Sequence, residues 1–129
     1  MIIPETKQER RRFIKVQLAN CVGRKYYSRA LDCYVLVTDK SVEETAYQAA
    51  ITKKATKLAL RLPEVIKEAT ILDLHLPPKP GRQTKRMKFV RIGNLLASIP
   101  RVGKAKLTIG YLINGDCIEY AITDYLAGN

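Results

Sequence analysis

The sequence predicts a single α+β domain: an antiparallel sheet of four to six strands, with one main helix at about 41–62 packed on one face and a C-terminal β-hairpin turning at Asn114-Gly115. Three observations predict it. Cys33-Tyr34-Val35-Leu36-Val37-Thr38 is a β-branched and aromatic run between Asp32 and Asp39, the composition of a buried strand. Tyr47, Ile51, Ala55, Leu58 and Leu62 recur at helical spacing, which defines a core-facing stripe. Two apolar-rich runs flank Asn114-Gly115, a dipeptide whose tolerance of positive φ suits a tight hairpin turn.

The elements follow in order. Pro4-Glu5 ahead of Lys7, Arg10, Arg11 and Arg12 suits a helix start. Ile14, Val16 and Leu18 alternate with Lys15 and Gln17, the period of a strand. The expectation is therefore a basic N-terminal helix or arm over residues 1–12, free to move, leading into a strand at Phe13–Leu18. Val22-Gly23-Arg24-Lys25 reads as a turn. After the Cys33–Thr38 strand, Ser41 as N-cap with Glu44 three residues on makes a capping box for the main helix. Pro63 stops that helix by pushing Leu62 toward extended geometry, and Glu64–Ala69 adds one more turn. Thr70–Leu76 alternates, with Leu72, Leu74 and Leu76 on one face and Asp73 and His75 on the other. The helix and the strands on either side of it fit a right-handed crossover unit. Pro77-Pro78-Lys79-Pro80-Gly81 then breaks any ladder. Phe89–Ile92 reads as a strand, and Asn94–Ile99 as a helical turn before Pro100. In the hairpin, a pivot at Asn114-Gly115 pairs Tyr111 with Ile118, Ile109 with Tyr120 and Leu107 with Ile122, all on one face.

Composition bounds the function. The 129 residues suit one domain, residues 1–129, able to bury a core without staples. They are 47% hydrophobic and 27% charged, which is a globular rather than a disordered balance. No apolar run approaches a membrane span, so no membrane partner is expected. Met1-Ile2-Ile3-Pro4 runs at once into charge, unlike a secretory signal. Cys21, Cys33 and Cys117 are odd in number and unpaired in spacing, and His75 is the lone histidine. The three thiols read as small buried hydrophobes and His75 as a hydrogen-bonded structural histidine, so neither a disulfide nor a metal or other cofactor is expected. A reducing compartment, cytoplasmic or nucleoid-associated, is expected rather than secretion.

Charge is the functional signal. Lys and Arg number 23 against 12 Asp and Glu, a net charge of +11. The excess is blocked. Residues 39–73 are neutral, whereas 74–115 hold no acid and nine cations: Lys79, Arg82, Lys85, Arg86, Lys88, Arg91, Arg101, Lys104 and Lys106. A surface built for solubility would intersperse both signs, so such a block implies a counter-charge from outside, phosphate first. The reading is a non-catalytic protein that binds DNA or RNA along the phosphate backbone. The expected contacts are Lys79, Arg82, Lys85, Arg86, Lys88 and Arg91, with Lys53, Lys54, Lys57 and Arg61 as a second stripe and Arg10–Arg12 as a third. With 7% aromatics and no Trp, a base-stacking platform is not favoured.

Two alternatives use the same residues differently. A metal-dependent nuclease or strand-transfer enzyme would need Asp39, Asp73 and a hairpin carboxylate, Glu119 or Asp124, to converge, with His75 beside Asp73. A structural component of a ribosome, nucleoid or virion would bury the basic surface against its nucleic acid. If two copies pair, the last strand, Asp116–Asp124, is the candidate edge for a homodimer.

Overall fold

The computed structural model describes residues 2–75 and 89–125. Along the chain run α1 (Lys7–Gln17), a 3-10 turn (Ala19–Cys21), β1 (Lys25–Ser28), β2 (Cys33–Leu36), α2 (Asp39–Ala49), α3 (Lys53–Ala59), α4 (Leu62–Glu68), β3 (Thr70–His75), β4 (Arg91–Ile99), β5 (Gly103–Tyr111) and β6 (Cys117–Asp124). The strands form one curled sheet in the order β1-β2-β6-β5-β4-β3. It is mixed rather than purely antiparallel, because β2 and β6 run parallel. The helices cover its inner face. Leu95, Ala97 and Ile99 of β4, Ala105, Leu107 and Ile109 of β5, and Ile122 of β6 meet Leu58, Leu62, Val65 and Ile66 there, all nearly or wholly buried. The architecture is α+β, as expected.

The expected 41–62 helix is broken. Thr38, not Ser41, caps α2: its hydroxyl accepts from Ser41 N at 3.0 Å, and Ser41 Oγ accepts from Thr38 N at 2.9 Å. Thr52 then caps α3 by accepting from Ala55 N. The Thr56 hydroxyl donates to Ala49 O and sits 2.9 Å from Thr52 O, holding the two helices end to end. Three short helices follow a curled sheet where one long rod would not. The break also moves the buried stripe: Val42, Ala46, Ala49 and Ala50 point inward, while Tyr47 and Ile51 are exposed.

The N-terminal segment is neither a loose arm nor a strand at 13–18. It is α1, capped by Thr6 and lying on α2 with Ile14 buried, while Leu18 at its C-cap and Cys21 in the following turn are buried behind it. Arg10 docks it, donating to Ala50 O at 2.7 Å, Glu5 O at 2.7 Å and Ile51 O at 3.3 Å. The carbonyls of Ala50 and Ile51 end α2, so the guanidinium also meets the negative pole of that helix.

Two expectations about connection fail. β2 takes β6 as its parallel partner, and β3 at the far edge runs antiparallel to β2, so the helices between them do not make a parallel crossover unit. The 94–99 segment is strand, because Leu95, Ala97 and Ile99 alternate inward against Asn94, Leu96 and Ser98. β3 pairs with β4 with a register shift at Leu72, which breaks the alternation read from sequence; Leu72 and Leu74 are both near half-exposed.

The C-terminal hairpin forms, with a different pivot. Leu112 N bonds Asp116 O, and Gly115 N bonds Leu112 O, with Gly115 at φ +92°. That is a three-residue loop closed by a left-handed glycine, not the two-residue turn expected. The register therefore starts one residue off, at Tyr111↔Cys117 and Ile109↔Glu119. An extra residue at Tyr120 then restores Leu107↔Ile122, the pairing expected from sequence. Between turn and bulge, Glu119 takes the inward position predicted for Tyr120. β6 lies between β2 and β5, so it is not the free edge that the homodimer expectation required.

Candidate nucleic-acid interface

The outer face of β4, β5 and β6 is where unpartnered charge collects. Inward Ala105, Leu107 and Ile109 leave Lys104, Lys106 and Thr108 pointing outward, opposite Ser98, Leu96 and Asn94 of β4. Thr123 of β6 stands opposite Lys106. Arg101 occupies the β4–β5 turn at φ +68°, exposed. Among the described residues no carboxylate comes within ion-pairing distance of Arg101, Lys104 or Lys106. The other end of this face is apolar, where Phe89 lies over Gly110 and packs with Ile92, Ile118 and Tyr120.

The helix stripe meets this face at one corner. The Lys54 side chain lies across Gly103 so closely that a Cβ there would sit 2.5 Å from its Cε. Gly103 stands between Arg101 and Lys104 in the chain, so Lys54 borders the turn, and Lys57 lies one helical turn further along α3. The stripe itself is largely spent on acids. Lys53 pairs with Glu5 at 2.6 Å, Lys54 lies 3.6 Å from Asp124, and Arg61 pairs with Glu64. Only Lys57 of the four forms no ion pair among the described residues. The hydrogen bond from Lys53, and then its charge, pull the Glu5 carboxyl below its usual range. The Lys53–Glu5 and Arg61–Glu64 pairs are exposed or half-exposed, so each is weak and open to exchange with phosphate, whereas the Asp124 carboxylate facing Lys54 is largely buried.

Of the six residues expected to lead the contact, Lys79, Arg82, Lys85, Arg86 and Lys88 lie outside the described residues. Arg91 is exposed at the start of β4, opposite Tyr111. It stands seven residues along the ladder from the row holding Lys104, roughly 24 Å away, with its side chain on the inner-face register. Arg91 and the β4–β5 corner are thus not one cluster. Arg101, Lys104 and Lys106 were missed as site residues, although the alternation Lys104-Ala105-Lys106-Leu107-Thr108-Ile109 carries the signal. The third stripe is divided: Arg10 is used internally, Arg11 lies 4.5 Å from the Tyr47 ring centroid, and Arg12 is exposed.

The carboxylates of the enzyme alternative are dispersed. Asp39 opens α2, close after β2, while Asp73 lies on β3, four strand spacings away. Asp73 accepts from Asn94 Nδ2 at 2.9 Å, and Asp124 faces Lys54. Glu119 is fully buried beneath α2; Thr45 Oγ1 donates to its Oε2 at 2.7 Å, and its Oε1 has no partner among the described residues. Burial without a cation pushes its pKa up to about 8, the Thr45 bond pulling the other way. A carboxyl in that state is a structural acid, closed to solvent. Among the described residues no three His, Cys, Asp or Glu side chains gather as a metal site, and no helix is long and apolar enough to cross a membrane.

An open groove of about 900 Å³ runs between Tyr26 and Tyr27 of β1, Pro63 and Lys67 of α4, and Leu96 and Ser98 of β4. Glu64 and Glu68 also line it, so it is poorly suited to a polyanion. Comparison of the chain with protein families, with curated proteins and with solved structures finds no match.

Proposed function

We propose that the protein binds nucleic acid through the phosphate backbone, without catalysis of its own. One observation carries the reading: residues 74–115 hold nine cations and no acid, and the described ones meet no carboxylate among the described residues. The contact centres on the β4–β5 corner, where Arg101, Lys104 and Lys106 gather beside Lys54, with Lys57 further along α3. Lys79, Arg82, Lys85, Arg86 and Lys88 add charge by sequence. A strand face bearing Lys, Arg and Thr, with its aromatic side chains gathered at the far end, suits neutralisation of phosphates over base stacking.

Binding to matched duplex DNA and RNA across a salt series tests this. With about five phosphates neutralised, log affinity on duplex DNA falls against log salt with a slope near −4 to −5. Replacing Lys85, Arg86 and Lys88 by Ala weakens binding to every sequence about equally. Loss at one sequence alone would mean base readout instead. Repeating the series with Mg²⁺ separates the enzyme alternative, which requires cleavage that disappears in Asp73→Asn.

A further inference from the structure

We propose that Cys33 and Cys117 form an oxidant-sensitive thiol pair, a site at which peroxide closes a reversible disulfide between β2 and β6. The proposal stands on geometry and is independent of nucleic-acid binding. Each cysteine is the first residue of its strand, and the two sulfurs lie 3.3 Å apart in the reduced chain. Sulfur to sulfur, a bond of about 2.05 Å is reached by a closure of about 1.3 Å. The place can yield by that much. The β2–β6 junction consists of only two residue pairs, Val35↔Cys117 and Leu36↔Ile118, and the thiols sit at its open end. A third thiol, Cys21, is buried in the 3-10 turn after α1, and among the described residues the only sulfur–sulfur contact is the one between Cys33 and Cys117.

The two thiols differ in a way that orders the chemistry. Cys33 is half-buried and open to a solvent-borne oxidant, whereas Cys117 is 6% exposed. Burial, then the neighbouring Cys33, push the Cys117 thiol up to about 12, with Asp116 adding in the same direction and Tyr111 opposing it. Cys117 is therefore held as the protonated thiol and is the poorer target for direct attack. Hydrogen peroxide takes Cys33–SH to the sulfenic acid, Cys33–SOH, with release of one water; sulfur is oxidised and the peroxide O–O bond is reduced. The Cys117 sulfur then attacks the Cys33 sulfur. The S–O bond breaks, the hydroxyl leaves with the Cys117 proton as a second water, and the disulfide remains. The net change is two thiols and one peroxide to one disulfide and two waters.

The bond would tie the β1–β2 hairpin to the body of the sheet. It closes a loop spanning 84 positions of the chain, which restricts the unfolded state strongly. The oxidised form is thus expected to melt several degrees higher than the reduced form.

The test uses the full reduced chain, treated with hydrogen peroxide, alkylated, digested without reductant and mapped by mass spectrometry. The expected result is a Cys33–Cys117 linked peptide, an intact chain lighter by two hydrogens, Cys21 alkylated, and reversal by dithiothreitol. Cys33→Ser and Cys117→Ser each abolish the link and the rise in melting temperature, while Cys21→Ser keeps both. Should Cys117→Ser fail to fold, the wild-type map and Cys33→Ser decide the matter. Sulfinic acid on Cys33 with Cys117 still alkylated would overturn the proposal. So would a link through Cys21, or a disulfide joining two chains.

Discussion

The two faces of β4, β5 and β6 present opposite charge problems on the same backbone. The inner face buries one acid, Glu119, with no cation beside it. The outer face carries an exposed Lys104 and a half-buried Lys106, with Arg101 exposed at its end, and among the described residues no acid pairs with them. Each is charge without a counterpart, yet the consequences differ because water reaches only one of them. The buried carboxyl escapes the desolvation penalty by keeping its proton. The exposed cations keep their charge at little local cost, and a polyanion can neutralise them. A charge imbalance in sequence therefore has two meanings, and solvent access decides between them.

Glu119→Gln is the sharpest probe of the inner face and carries the largest expected effect. The folded state holds the Glu119 proton up to about pH 8, whereas an unfolded carboxyl loses it near 4.5. Between those values the native state binds more protons, so the stability contributed by this group is full below 4.5 and falls as pH rises toward 8. The fall is at most about 1.4 kcal/mol per pH unit. Urea unfolding at pH 5 and pH 8 should show wild type losing stability and Glu119→Gln free of this component. Identical pH profiles would contradict the assignment. Thr45→Val comes next: it strips the carboxyl of the bond at Oε2 and costs about 1–3 kcal/mol, already visible at pH 5.

On the outer face, Arg101→Ala with Lys104→Ala should weaken nucleic-acid binding about tenfold at moderate salt and reduce the salt slope by about 2. Their stability should stay within about 0.5 kcal/mol of wild type. Lys53→Ala with Arg61→Ala is the contrasting pair and the smallest effect. Both cations are already paired, so the slope should change by less than about 1. Equal losses from the two double variants would erase the distinction between paired and unpaired charge.

Much of this fold was legible in the chain, and the failures share a cause. Composition located β2, alternation located β3, the Asn114-Gly115 signal located the last hairpin, and the apolar positions Ala55, Leu58 and Leu62 were placed correctly in the core. What alternation could not carry was a single-residue slip. One extra residue in the Ile113-Asn114-Gly115 loop and one at Tyr120 exchanged Glu119 for Tyr120 on the inner face. The helix break at Ala50–Thr52 was obscured because apolar spacing continues through it; the capping threonines, Thr38 and Thr52, were the clue. Ion pairing of the α3 stripe was invisible for another reason. Glu5 and Asp124 come from the two ends of the chain, and only the tertiary fold brings them to Lys53 and Lys54.

The central claim is that the outward cations of the β4–β5 corner await phosphate, and its most direct measurement is the salt dependence of duplex binding, wild type beside Arg101→Ala/Lys104→Ala. A steep wild-type slope, made shallower by about 2 in the variant, is the predicted result. A wild-type slope near zero, or a steep one that the variant leaves untouched, would contradict it.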